Sequence, residues 1–134
     1  MSEEHRLGGT NKTVPSRNRE DYWLFCDEGA EPMSFQPDEC GKWMLFYPSE
    51  RIDQCWEAAK SALRSSLLQG VVEMKVSTAR AAAENAQAQQ QQGRGSYTPS
   101  HVLIFYCGPA TNKELVMSIG RRVARAMNPS VKSM

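Results

Sequence analysis

The stretch Val71-Val72-Glu73-Met74-Lys75-Val76-Ser77-Thr78 decides how this chain folds. Val72, Met74 and Val76 point one way while Glu73, Lys75 and Ser77 point the other, and a period of two marks a strand with one buried and one wet face. A chain with such a strand needs cover on one side of its sheet only. The flanking segments supply it. Upstream, Ile52, Cys55, Trp56, Ala59, Leu63 and Leu67 recur at three and four residues and predict an amphipathic helix over Ser49–Gln69, with Ser49 as its N-cap and Gly70 as its stop. Downstream, His101–Cys107 is the most apolar run and predicts a central strand. It is followed by a helix capped by Thr111 or Asn112 that runs to Met127, with Leu115, Val116, Ile119, Val123 and Met127 inward.

Further out, Asp21–Cys26 and Lys42–Tyr47 are aromatic runs that suit strands, the second stopped by Pro48. Between them, residues 27–41 carry five acidic residues and no basic one, with two prolines, and read as a solvated loop. Ala79–Gln92 is Ala/Gln-rich, and residues 79–100 read as a flexible insertion with a helical start; residues 1–18 and 129–134 read as tails. The expected architecture is a single α+β domain over residues 19–128. Its curved, mainly antiparallel sheet has helices packed on one face and the other face open.

The 134 residues are 40% hydrophobic and 23% charged, which fits one globular domain and excludes wholesale disorder. Lys plus Arg number 16 and Asp plus Glu 15, a net charge of +1, so a uniformly basic nucleic-acid coat is excluded although a local patch is not. No apolar run reaches the roughly 18 residues of a membrane helix. The polar start, Met1–Asn18, has no signal-like core, and the expectation is a cytoplasmic protein with no membrane partner. Cys26, Cys40, Cys55 and Cys107 are spaced by 14, 15 and 52 residues, without the close pairs of a zinc site, and read as reduced thiols. No metal and no cofactor is expected.

Gly41-Lys42-Trp43-Met44-Leu45-Phe46, Asp53-x-x-Trp56, Lys75-Val76-Ser77 and His101-Val102-Leu103-Ile104-Phe105-Tyr106 ahead of a helix resemble the DUF1917 family in order and spacing, over about residues 20–127. The resemblance implies a fold similar to translation initiation factor 4E, the mRNA cap-binding protein. It implies no established activity. The Ala/Gln-rich segment has no counterpart in that fold.

A base-binding site needs aromatic planes and phosphate-facing cations. Trp56 lies on a helix stripe and reads as core, whereas Trp23 and Trp43 fit either core packing or a stacking role. Lys42, Trp43, Lys75 and Ser77 form the first candidate set: phosphate contacts from the lysines, stacking from Trp43, a hydrogen bond from Ser77. Arg121, Arg122 and Arg125 form the second, in a region where residues 110–134 hold five basic and one acidic residue. The competing reading is that these arginines complement a helix C-terminus. The functional expectation is a monomeric, non-enzymatic binding module for RNA, a nucleotide or another phosphate-bearing ligand. A protein–protein adaptor is the alternative. Thiol chemistry at Cys107, placed before a turn and a helix N-terminus, is a remote third option, weakened by Lys113 in place of an arginine and by Pro109.

Overall fold

A computed structural model of the chain describes residues 14–91 and 100–128. Four strands, β1 (Trp23–Cys26), β2 (Gly41–Pro48), β3 (Val71–Ser77) and β4 (Ser100–Cys107), form one sheet in the order β1-β3-β4-β2. Every neighbouring pair is antiparallel. Three helices accompany it: α1 (Ser49–Arg64), α2 (Ala79–Gln91) and α3 (Lys113–Met127). The protein is therefore α+β, as expected.

The alternation of β3 sets which residues go inside. Met74 and Val76 are fully buried and align with Phe105 and Leu103 of β4, and Phe105 and Leu103 in turn align with Trp43 and Leu45 of β2. Leu24 and Cys26 of β1 extend the same face. On it sit Ile52, Trp56, Ala59 and Leu63 of α1 and Ile119 and Val123 of α3, giving one apolar core between the sheet and two amphipathic helices. Val72 leaves the alternation. A bulge between Val71 and Glu73 makes it an extra residue, so Val71 takes the inward place expected of Val72.

Helix α1 ends at Arg64, five residues before the expected last residue, Gln69. Ser66 adopts φ +65°, its N–H donates to the Leu63 carbonyl, and the Leu67 N–H reaches back to the Ala62 carbonyl. That is a Schellman ending with serine in the left-handed position that glycine usually fills. Leu67 consequently leaves the stripe and is exposed, while Leu68 is buried. The Ser49 hydroxyl caps nothing either, because it is drawn to the His101 ring. At α3 the expected cap is present: the Asn112 side chain accepts from the Leu115 N–H, 3.1 Å.

Two segments, one read as a flexible insertion with a helical start and the other as a tail, carry structure. The Ala/Gln-rich stretch forms α2, whose Ala81 N–H meets the Thr78 hydroxyl and whose Ala81 and Ala82 are buried. Of the expected N-terminal tail, residues 1–13 lie outside the described residues. Residues 14–18 pack: a 3-10 turn at Pro15–Arg17 is tied to α1 through Ser16, whose N–H and hydroxyl both donate to the Asp53 carboxylate. The expected insertion beyond residue 91 and the tail at 129–134 also lie outside the described residues. No described helix is long and apolar enough to cross a membrane.

Candidate functional site

The second face of the sheet is built from the complementary positions of each strand. Phe25, Lys75, Ile104 and Met44 form one rung across all four strands, and Glu73, Tyr106 and Lys42 form the next. Trp23 sits opposite Ser77, and Phe46 opposite Val102. Phe46 is 62% exposed, Phe25 59% and Met44 41%, large values for apolar side chains in strands.

Lys75 occupies the middle of this surface. Its Nζ lies 4.0 Å from the Trp23 ring centroid, 5.6 Å from that of Tyr106 and 5.8 Å from that of Phe25. An ammonium held among three ring faces is attracted by their quadrupoles. Lys42 is exposed one rung away on the edge strand, and Glu73 is the acidic residue of the same rung. Across the sheet, Phe25 and Met44 are three strand spacings apart, about 14 Å.

The candidate residues divide between surfaces. Lys42 and Lys75 stand on the open face as expected. Trp43 does not. Its strand position turns it under α3, where its Nε1–H donates to the Val116 carbonyl at 3.0 Å and its ring lies against Gly120, so it offers no free plane for a base. Ser77 has open-face register but is 4% exposed, and its Oγ accepts from the Val102 N–H at 2.9 Å. Helix α2 begins immediately beyond it and packs on the ends of β3 and β4. Arg121, Arg122 and Arg125 are on α3, on the other side of the sheet from the two lysines. Arg122 is half-buried and donates to the Gln69 carbonyl at 2.8 Å, pinning α3 to the turn before β3. The seven candidate residues thus lie on two surfaces, and on the open face the aromatic residues that accompany the lysines are Trp23, Phe25, Phe46 and Tyr106. Strand alternation contained that signal, since Trp23 and Phe25 share parity, and Met44 and Phe46 share parity with Lys42. What it lacked was which parity faced the helices.

A cap-type sandwich between two tryptophans is not built here. Trp56 is in the core and Trp43 under α3, leaving only Trp23 on the open face.

Other chemistry-bearing groups are occupied structurally. His101 is buried, with Nδ1 2.9 Å from the Ser77 carbonyl and Nε2 3.0 Å from the Ser49 hydroxyl. A carbonyl only accepts, so Nδ1 carries the hydrogen and, in the neutral ring, Nε2 accepts from Ser49. Cys107 is fully buried, and burial first, then the neighbouring Cys40 thiol, pushes its pKa up. Burial likewise raises Cys40 and Cys55. A raised thiol is poor in thiolate, the opposite of what nucleophilic phosphate chemistry requires. Among the described residues no cluster of His, Cys, Asp and Glu could hold a metal ion. A cleft of about 320 Å³ opens on the helix side between the acidic loop and α3, where Glu31 accepts from the Gly70 N–H and Arg122 faces Gln69.

Comparison with known proteins adds nothing to this geometry: no family model, no curated protein and no solved structure matches the chain.

Proposed function

We propose that this protein is a non-enzymatic module that binds single-stranded RNA across the open face of its sheet. One observation carries the reading: exposed Phe25 and Phe46 flank a ring-surrounded Lys75, with Trp23, Tyr106 and Lys42 on the same surface. Exposed aromatic rings on a sheet stack unpaired bases, and lysines between them meet the phosphates that connect those bases. Duplexes bury their base faces, so single strands are the class this surface suits. A fold similar to translation initiation factor 4E is part of the proposal. The DUF1917 resemblance supports it, together with an antiparallel sheet covered by helices on one side. A cytoplasmic setting belongs to the same proposal.

The test is a titration of the full chain with short single-stranded RNA at several salt concentrations. Trp23 fluorescence is the reporter, because Trp43 and Trp56 are shielded by the helices. Stacking worth about 1–3 kcal/mol per base makes Phe46→Ala lose roughly 5–150-fold in affinity. Each phosphate contact contributes about 0.7 to the single-strand salt slope, so Lys42→Ala with Lys75→Ala lowers that slope by about 1.4. Absence of RNA binding at low salt, or unchanged affinity and slope in the folded variants, refutes the reading.

A further inference from the structure

Two strands of the sheet are edges, β1 and β2, and they are unlike. β1 has four residues, short enough to be a poor template for another strand. β2 has eight, Gly41–Pro48, all aligned with β4 on its inner side. Among the described residues, no backbone hydrogen bond outside the β2–β4 ladder involves residues 42–47. Proteins guard such an edge with prolines, bulges, inward charges or a covering segment. In β2 the proline comes last, the pairing with β4 runs without a break, and the single charge is Lys42 near one end. Met44 and Phe46, both exposed, border the free edge.

We propose that β2 is a self-association edge: two copies of this chain pair β2 to β2 antiparallel about a two-fold axis at Leu45, giving one eight-stranded sheet. The sequence of the edge selects a second copy as the occupant. Strand alternation requires that opposite residues share a face, so the axis must pass through a residue and not between two. With Leu45 on the axis, Met44 stands opposite Phe46 of the second copy, and Phe46 opposite its Met44. These are two thioether–aromatic cross-strand pairs on the open face. Trp43 then stands opposite Tyr47, and Lys42 opposite Pro48. The two Lys42 side chains are six residues out of register, roughly 20 Å apart at 3.3 Å per residue and beyond the Debye length of about 8 Å in physiological salt. The only charge on the edge thus never meets its own copy. A single isologous patch closes at two and leaves no further free β2 edge for a filament. The pairing replaces the monomer expected from sequence, needs no RNA, and stands or falls independently of the RNA reading.

Sedimentation of the full chain without nucleic acid, from low to high micromolar, gives a species of twice the 15.0 kDa monomer mass. Met44→Lys with Phe46→Lys puts like charges opposite each other at the axis, and that variant is monomeric; so is Met44→Glu with Phe46→Glu. Mixing the two variants restores a dimer, because each lysine then faces a glutamate of the other copy. Both positions are exposed in the monomer, and far-UV circular dichroism confirms that each variant is folded. In the unmutated chain, amide exchange within Trp43–Tyr47 slows as concentration rises, which reads the pairing without any substitution. The proposal is overturned by a monomer at high micromolar, by folded variants that still dimerise alone, or by exchange in β2 that is independent of concentration.

Discussion

Gly120→Ala in α3 tests the packing of the helix layer, because two opposing effects meet there with known signs. In an exposed helix interior, replacing glycine with alanine stabilises by up to about 1 kcal/mol through backbone entropy and propensity. At Gly120 a Cβ would lie 2.5 Å from Cε2 and Cζ2 of Trp43, well inside contact distance, and Trp43 is itself held by its bond to the Val116 carbonyl one turn earlier. The indole must shift. Overpacking of this kind costs about 1–3 kcal/mol, and losing the 3.0 Å indole bond adds about 1 kcal/mol. Subtracting the propensity gain leaves a net destabilisation of about 2 kcal/mol, a fall in Tm of roughly 6–10 °C for a domain of this size. Urea unfolding followed by circular dichroism and fluorescence measures it. The cycle is completed with Trp43→Leu, which removes the ring: in that background Gly120→Ala becomes neutral or stabilising. Unreduced stability of Gly120→Ala in the unmutated background, or additivity of the two substitutions, refutes the placement of Trp43 beneath α3.

Two further outcomes follow from local structure and electrostatics. Ser66 carries a left-handed φ of +65° at the end of α1, so Ser66→Gly stabilises the fold by about 0.5–1 kcal/mol, read as a higher urea midpoint at unchanged slope; a lower midpoint contradicts the Schellman ending. Burial raises the pKa of Cys40, Cys55 and Cys107 above the ordinary 9.0, and that of Tyr47 above 10.0. The folded state then favours the protonated forms, so their contribution is fully present below these ordinary values and is lost as pH rises through the higher folded ones. Stability should decline from about pH 9 upward, more gently in Cys107→Ala, and a stability that rises over this range opposes the assignment.

Much of the architecture was legible because periodicity is a local property. The β3 alternation predicted that Met74 and Val76 would be inside, the helix stripes identified Trp56, Ile119 and Val123 as core, and Asn112 was readable as a cap. Misreadings occurred where a local pattern competed with an unseen partner. Ser49 has the chemistry of a cap, but His101, 52 residues away, takes its hydroxyl. The stripe through Leu67 continued on paper, yet the turn at Ser66 ended the helix before it. The Ala/Gln-rich run, expected as a flexible insertion with a helical start, is helical as far as Gln91, and Thr78 with the buried alanines anchors that start.

For the candidate site, the chain by itself determined the pairing of parities: Trp23 goes with Phe25, and Lys42 with Met44 and Phe46, because successive side chains in a strand must point to opposite faces. For β1 and β2, only the tertiary structure decided which parity faced water. That choice depends on where α1 and α3 dock, and their docking depends on contacts between residues far apart in sequence. The same docking moved Trp43 from candidate ligand plane to core, set Arg121, Arg122 and Arg125 behind the sheet, and gathered Trp23, Phe25 and Tyr106 around Lys75. A one-dimensional pattern specifies the faces of each element, while the assignment of those faces to core or solvent is made by the packing that buries the most apolar surface at once.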